Sequence, residues 1–570
     1  MKGPDAFEAY YRCQKVICDD EWLELKSCLD SPLPVTFTVV ENFPGGLGRQ
    51  LLHDIRSKRY PDIHPISWYP GSTAWQIESS RSQWTSEFKE FIKVQTEIGT
   101  MIRQELVSMV PVLMLRDGML STPSSVLDLC AAPGSKTSQL VQFFDGVVVA
   151  NDCDARRASM LMSRLKCVAS SSLVVTRCDA AQFPSHEQFD RVLCDVPCSG
   201  DGTMRKAPKL HKNWKSTSAT ALHLQQIQIA RRAFLLTKPG GRMVYSTCSL
   251  NPVENEAVVL ALLNEFPDEI ELVDSSEVLP GLKRSNGLTT WPVMAAKLGD
   301  TGFSLFGSWD EVKSTSYGGQ CVPSVFATGP HCHLLSRCMR LLPHHNNSGG
   351  FFIALIERRF VPSPRSVPTP LPPKYKGDSL FPFLPLLSTP GGSEIAECLR
   401  RTIGLRDTFP FDDVHIREHA DEDSHGRRHR LYLLTPKASS HAAFHTDSQG
   451  LMHAGVRVFE RCVRPEGVPT EFRICWEAIG HILPHLSSDI VKRLPLSLLT
   501  PLLRSETVSF DSVPGLKEEL FGEDGVQRGN IVIECRSSSD IPLLFAARVG
   551  AQTVQLMIPT RSFEAATMLL

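Results

Sequence analysis

Asp128-Leu129-Cys130-Ala131-Ala132-Pro133-Gly134-Ser135-Lys136-Thr137 follows a short apolar run, SSVLDLC, and opens a helical pattern. A buried strand, a small-residue turn and a helix in that order form the first unit of a parallel α/β sheet. Four further runs repeat the strand signal: GVVVAND, SLVVTRCD, FDRVLCDVP and GRMVYST. Helix-like segments, Ala155–Lys166 and Ala219–Thr237 among them, lie between these runs. Such alternation predicts a doubly wound, Rossmann-like sheet with its ligand crevice at the carboxyl ends of the strands.

Two readings compete for the loop. A phosphate loop requires Gly-x-x-x-x-Gly-Lys-Ser/Thr, but Cys130 and Ser135 stand where both glycines belong. The alternative is a cradle for the amino-acid end of S-adenosylmethionine, built from Cys130, Ala131, Ala132, Pro133, Gly134, Ser135 and Lys136. Lys136 then either pairs with the ligand carboxylate or braces a nearby acid. Asp152 ends the second strand run, where an acid accepts ribose hydroxyls. Asp179 ends the third, within reach of an adenine, and Asp195 ends the fourth. Each of these acids also suits a turn or cap, but three at successive strand ends favour a nucleoside.

Cys198, in Asp-Val-Pro-Cys, and Cys248, in Ser-Thr-Cys-Ser, each follow a strand run. A thiolate adds to carbon 6 of a pyrimidine, which makes carbon 5 nucleophilic towards a methylsulfonium. Loss of the carbon 5 proton then expels the sulfur. The thiol must first ionise, against an ordinary pKa of about 8.5. From Thr203 to Arg242 there is no Asp or Glu, while Arg205, Lys206, Lys209, Lys212, Lys215, Arg231, Arg232, Lys238 and Arg242 fall in that span. The span reads either as a solvated basic face or as a phosphate-contact surface that also favours the thiolate. Trp214 reads as a packing residue.

At 570 residues the chain exceeds one ordinary core. Its formal charge of −2 gives no global attraction for polyanions, so a nucleic-acid partner requires a local basic surface. The 17 cysteines include no Cys-x-x-Cys pair, so no metal site is expected and the thiols are expected to be free. No secretory leader and no apolar run long enough to span a membrane are found. The expected compartment is the nucleus, with the cytoplasm as alternative. The pattern Phe91–Leu115 predicts a helix interrupted near Pro111. VPSPRSVPTPLPPKYK (361–376) reads as an extended linker. The charged patch His415–Arg430 reads as a solvated loop. HRLYLLT, GVRVFER, GNIVIECR and QTVQLMIP predict strands of a small mixed or mainly β region.

LDLCAAPGSKT, ANDCD, LCDVPCSGDGTMRK and GGRMVYSTCSLNPVENEAVV resemble the motifs of the NSun family of RNA cytosine-5 methyltransferases, in its eukaryotic tRNA-modifying branch. ISWYPGSTAWQ (66–76), RQELVSMVPVL (103–113) and LLPHHNNSGGFF (341–352) extend the likeness to roughly residues 5–360. The resemblance implies an α/β RNA-recognition region over 1–115, a methyltransferase domain over 116–360, a linker over 361–377 and a PUA-like domain over 378–570. It implies Cys248 as the nucleophile and Cys198 as the residue that assists product release; chemistry alone does not rank the two. It implies S-adenosylmethionine on Cys130–Lys136, Asp152, Asp179 and Asp195, with Asp195 also facing the base. tRNA is the implied partner, with Arg205, Lys206, Lys209 and Lys212 as candidate contacts. The same chemistry on rRNA or mRNA, or an inactive RNA-binding protein, are the alternatives.

Overall fold

The computed structural model describes residues 3–118, 125–215, 217–295, 304–317, 319, 321–362, 382–417, 430–447, 450–462, 471–522 and 525–570. Most of the proline-dense segment and positions 418–429 of the charged patch lie outside these residues.

The central sheet begins with β1 (Ser125–Asp128), β2 (Val147–Asn151) and β3 (Leu173–Thr176), every residue of which is buried. Burial on both faces explains why these strands read as continuous apolar runs. β4 (Phe189–Asp195) and β5 (Thr237–Thr247) continue the sheet on the other side of β1. Adjacent strands from β3 to β5 are all parallel. The crossover direction therefore reverses between β1 and β4, which places a crevice beyond their carboxyl ends. Helices α1 (Ser135–Phe143), α2 (Ala155–Leu165) and α3 (Ser218–Leu236) form the crossovers. Asp154 caps α2 by accepting the Arg157 N–H at 2.8 Å.

Beyond β5 and the helix α4 (Glu256–Glu265), the chain returns antiparallel. β6 (Ile270–Leu272), β7 (Ser285–Asn286), β8 (Met339–Leu341) and β9 (Phe351–Arg358) complete this side, with β9 antiparallel to β5. The far edge is closed from a distance in sequence. β10 (Leu451–Ala454) pairs antiparallel with β3, giving a 10-stranded sheet in all.

The predicted helix over 91–115 is not continuous. A helix runs Ser86–Ile98 and ends at Gly99, whose φ of 94° is the left-handed stop that glycine permits. A strand, Met101–Arg103, follows, and a new helix occupies Val110–Arg116. Pro111 starts that helix, where its missing N–H costs nothing, instead of interrupting one.

The first region divides its packing. Phe7, Tyr10 and Tyr11 pack with Met204, Trp214 and Leu250 of the catalytic half, so Trp214 is a packing residue as expected. Phe37, Leu47, Leu51 and Trp75 share a core with Leu399, Trp476, Ile531 and Leu569. Arg59 Nη2 donates to the Met568 carbonyl at 3.1 Å, and Trp476 Nε1 to the Leu544 carbonyl at 2.8 Å. All four C-terminal runs contain strands, in two 5-stranded sheets with helices packed among them. His415, expected in a solvated loop, is buried in the strand Val414–Arg417. The surrounding charges mask this short Val-His-Ile alternation in the sequence.

Tyr432, Leu434, Ala442 and Leu451 belong to the same buried cluster as Leu127 and Val174 of the central sheet. A chain ending at residue 362 should therefore expose both an unpaired β3 edge and apolar surface, and self-associate. Light scattering checks this; a monodisperse, native-like fragment would contradict it.

Candidate active site

The crevice is built by two neighbouring strand ends. Asp195 is in register with Ser246 across the β4–β5 pair. Each strand then turns and delivers a cysteine. Cys198 Sγ and Cys248 Sγ lie 3.2 Å apart, close enough to share a proton. Lys136, in the first turn of α1, donates through Nζ to Asp195 Oδ2 and Ser108 Oγ, both at 2.8 Å. Ser246 Oγ donates to Asp195 Oδ1 at 2.8 Å. Of the two roles weighed for Lys136, the structure gives it that of bracing the acid.

The hydrogen bond with Cys248, followed by burial, pushes the Cys198 thiol well above its ordinary value, which favours its neutral form. Either sulfur can donate in the contact between them. Burial alone would depress Lys136, but Asp195 and then Cys248 overcome it and the pKa is raised. The ammonium placed to interact with the Cys248 sulfur is thus Lys136, from the loop helix. Burial drives the Asp128 carboxyl up to about 7, although Thr137 Oγ1 donates to it at 2.7 Å.

Behind the thiols, Glu254 joins both cysteine loops. Its carboxylate accepts from Ser199 N at 2.8 Å, Ser199 Oγ at 2.5 Å, Ser249 Oγ at 2.6 Å and Gln226 Nε2 at 3.1 Å. Asp201 accepts from the Tyr11 hydroxyl, from Trp214 Nε1 at 3.3 Å and from Leu250 N at 2.8 Å, tying the N-terminal helix Pro4–Gln14 to the same loops. Gly202 N donates to the Cys248 carbonyl at 2.9 Å, and Gly350 N to the Gly202 carbonyl at 2.7 Å. A Cβ on Gly202 would lie 2.3 Å from the Gly350 oxygen, so this approach requires glycine. Glu254, Asp201 and Gly202 lie within the quoted motifs, which assign them no role; the acid just ahead of the helix in NPVENEAVV is the signal the sequence offers for Glu254.

The small-residue loop sits between the β1 and β2 ends. Ala131 N donates to the Asn151 carbonyl at 2.7 Å, and Ala132 N to Asp152 Oδ2 at 3.3 Å. Gly134 has φ 106°, and a Cβ there would meet Leu161 Cδ1 at 2.9 Å, so glycine lets α1 start against α2. Burial raises the Cys130 thiol, which makes it a neutral wall of the loop. Pro133 is exposed and Ser135 half-buried. Asp152 is buried, pairs with Arg157 Nη2 at 3.0 Å and accepts Asp154 N at 3.1 Å. Asp179 is exposed at its strand end and accepts Ala181 N at 3.0 Å. Both acids thus serve in turns while standing at the crevice.

The basic span divides. Arg205 is buried, and its guanidinium donates to the Ser348 and Pro32 carbonyls at 2.9 Å and to Asn347 Oδ1 at 2.8 Å, so it is a structural clamp. Arg231 pairs with Glu265, Lys238 with Asp190, and Arg242 with Asp117 and Glu357. Arg232 donates to the Phe183 carbonyl. Lys206, Lys209, Lys212 and Lys215 are exposed.

The family model described as 16S rRNA methyltransferase RsmB/F matches residues 119–357, which hold both cysteines, Lys136 and Asp195. This part of the chain is similar to that family. A second model, the NSUN2 Pre-PUA domain, matches residues 387–487. Among curated proteins, the multisite-specific tRNA:(cytosine-C(5))-methyltransferase of Saccharomyces cerevisiae is 36% identical over 63% of this chain and 56% of its own length. The tRNA (cytosine(34)-C(5))-methyltransferase of Drosophila melanogaster is 36% identical over 62% of this chain and 52% of its own. The Schizosaccharomyces pombe multisite-specific enzyme trm4b is 33% identical over 62% and 59%. The chain therefore spans somewhat over half the length of these relatives.

Two outcomes follow for this site. Glu254→Gln removes the charge that gathers Ser199 and Ser249. Hydrogen bonds to charged groups contribute about 1.5–3 kcal/mol, so steady-state kinetics should show kcat lowered roughly 10–100-fold with little change in KM. Asp128 holds a proton when folded at pH values where the unfolded chain has lost it. Its contribution to stability is present at low pH and is lost as the pH rises from about 4 through about 7. Thermal unfolding should therefore shift in favour of Asp128→Asn, relative to the parent, as pH rises through that window; a pH-independent difference would contradict the assignment.

Proposed function

We propose that this chain transfers a methyl group from S-adenosylmethionine to carbon 5 of cytosine in a tRNA, through a covalent bond between Cys248 and the ring. The observation that carries this reading is the thiol pair, 3.2 Å apart, beside the Lys136–Asp195 ion pair at the switch crevice. The names of the relatives favour tRNA over other RNAs.

The residues at the β1, β2 and β3 ends fit a sulfonium nucleoside. Backbone amides of a small-residue loop, the Asp152 carboxylate and the exposed Asp179 carboxylate offer partners for an amino-acid end, ribose hydroxyls and an amino-substituted ring. When bound there, S-adenosylmethionine supplies an electrophilic methyl group.

The protein's own groups handle the sulfur and the protons. Lys136 favours the Cys248 thiolate, which adds to carbon 6 and shifts the ring electrons towards carbon 5. Asp195, held by Lys136 and Ser246, faces the ring as the partner for a protonated nitrogen. Once carbon 5 carries the new methyl group, its proton passes to solvent, the electrons of that C–H bond restore the ring double bond, and the carbon 6–sulfur bond breaks to release Cys248 as a thiolate. The neutral Cys198 thiol assists this release by donating a hydrogen bond to the departing sulfur. Lys206, Lys209 and Lys212 offer phosphate contacts, and these help offset the cost of extruding a paired base, a few kcal/mol.

Cys248→Ala should abolish both methyl transfer and adduct formation. Cys198→Ala should allow transfer but trap the RNA as a covalent adduct that survives denaturing gels. An adduct with Cys248→Ala and none with Cys198→Ala would exchange the two roles.

A further inference from the structure

The segment LLPHHNNSGGFF joins β8 to β9, and the crevice uses its glycines but not its histidines. Those histidines meet the N-terminal region. His344 Nε2 lies 3.5 Å from Glu21 Oε2, and His345 Nε2 lies 3.4 Å from Glu21 Oε1. The rings stand 4.4 Å apart between centroids at 63°, and both Nε2 atoms approach the Glu21 carboxylate. The ligand-capable atoms of all three residues fall within 4.8 Å of one another.

His344 is what requires explanation. Its side chain is 3% exposed, and neither ring nitrogen makes a hydrogen bond. A buried polar nitrogen left in this way is uncommon, and a bound ion is one of the few arrangements that satisfies it. The spacing agrees as well. An ion with tetrahedral ligands at about 2.0–2.1 Å places them about 3.3–3.4 Å apart. The two nitrogen–oxygen separations, 3.5 Å to Oε2 and 3.4 Å to Oε1, are close to that edge length.

We propose that Glu21, His344 and His345 bind a Zn2+ ion through the Glu21 carboxylate and the two Nε2 atoms, with water completing the coordination. Two imidazoles and a carboxylate suit zinc among the biological divalent ions. A second group of similar composition, His186, Glu187 and His441, lacks these features. There His441 Nε2 and Glu187 Oε1 are 2.8 Å apart and already satisfy each other. The proposed ion departs from the expectation of no metal, which rested on the lack of Cys-x-x-Cys pairs. It would fasten the start of the helix Trp22–Asp30 to the segment whose Asn347 and Ser348 hold Arg205 and whose Gly350 holds Gly202.

The test uses the full chain, stripped of metal by chelator, reduced, and titrated with Zn2+ or Co2+ alone. The parent should take up one equivalent that Glu21→Gln and His344→Ala each lose and His186→Ala retains. Glu21→Gln alters a half-exposed side chain and guards against a folding defect in His344→Ala. Co2+ in that equivalent should give d–d bands without thiolate charge transfer, which separates this site from the cysteines. No uptake by the parent, equal uptake by both variants, or a thiolate spectrum for the equivalent they lose would overturn the proposal.

Discussion

One ammonium governs the chemistry of this crevice. Lys136 rises from the start of a helix into a buried space that also holds Asp195 and a sulfur. An isolated charge there would cost far more than any contact it makes, so the ion pair is what permits a charge to be present. Removing either partner leaves the other uncompensated. The position of the pair follows from the fold: β1 supplies the lysine through its loop, β4 supplies the aspartate, and the reversal of strand order between them leaves the gap in which both meet.

Much of this was legible from the sequence for a definite reason. Strands buried on both faces must be written as apolar runs, and helices between them as periodic ones, so β1 to β5 and α2 and α3 declare themselves. Strand-end residues such as Asp195, Cys198 and Cys248 were located by counting along those runs. What could not be counted was where side chains go once they leave the strand. Arg205 reads as an available cation, yet it is consumed by carbonyls of two distant segments. The cation beside Cys248 lies 112 positions upstream in the chain rather than in the basic span. Burial of His415 depends on a three-residue alternation that neighbouring charges conceal.

The N-terminal region shares its packing between distant parts of the chain. Phe7, Tyr10 and Tyr11 pack with Trp214 and Leu250, Ile66 and Tyr69 with the central sheet, and Phe37, Leu51 and Trp75 with the C-terminal sheets. Apolar periodicity reports that a face is buried but not what buries it. A core assembled from two ends of a chain therefore looks, in sequence, like two smaller cores.

The pairing of β10 with β3 has a temporal consequence. A ribosome releases β3 long before the strand that covers it, so the growing chain must carry an unfinished sheet through the synthesis of everything between them. Pairings that span so much sequence form slowly, since the intervening loop must be closed before the contact gives any return. The catalytic half therefore reaches its finished form only late in biogenesis, and its open edge is the part of the nascent protein that most needs shielding in the meantime.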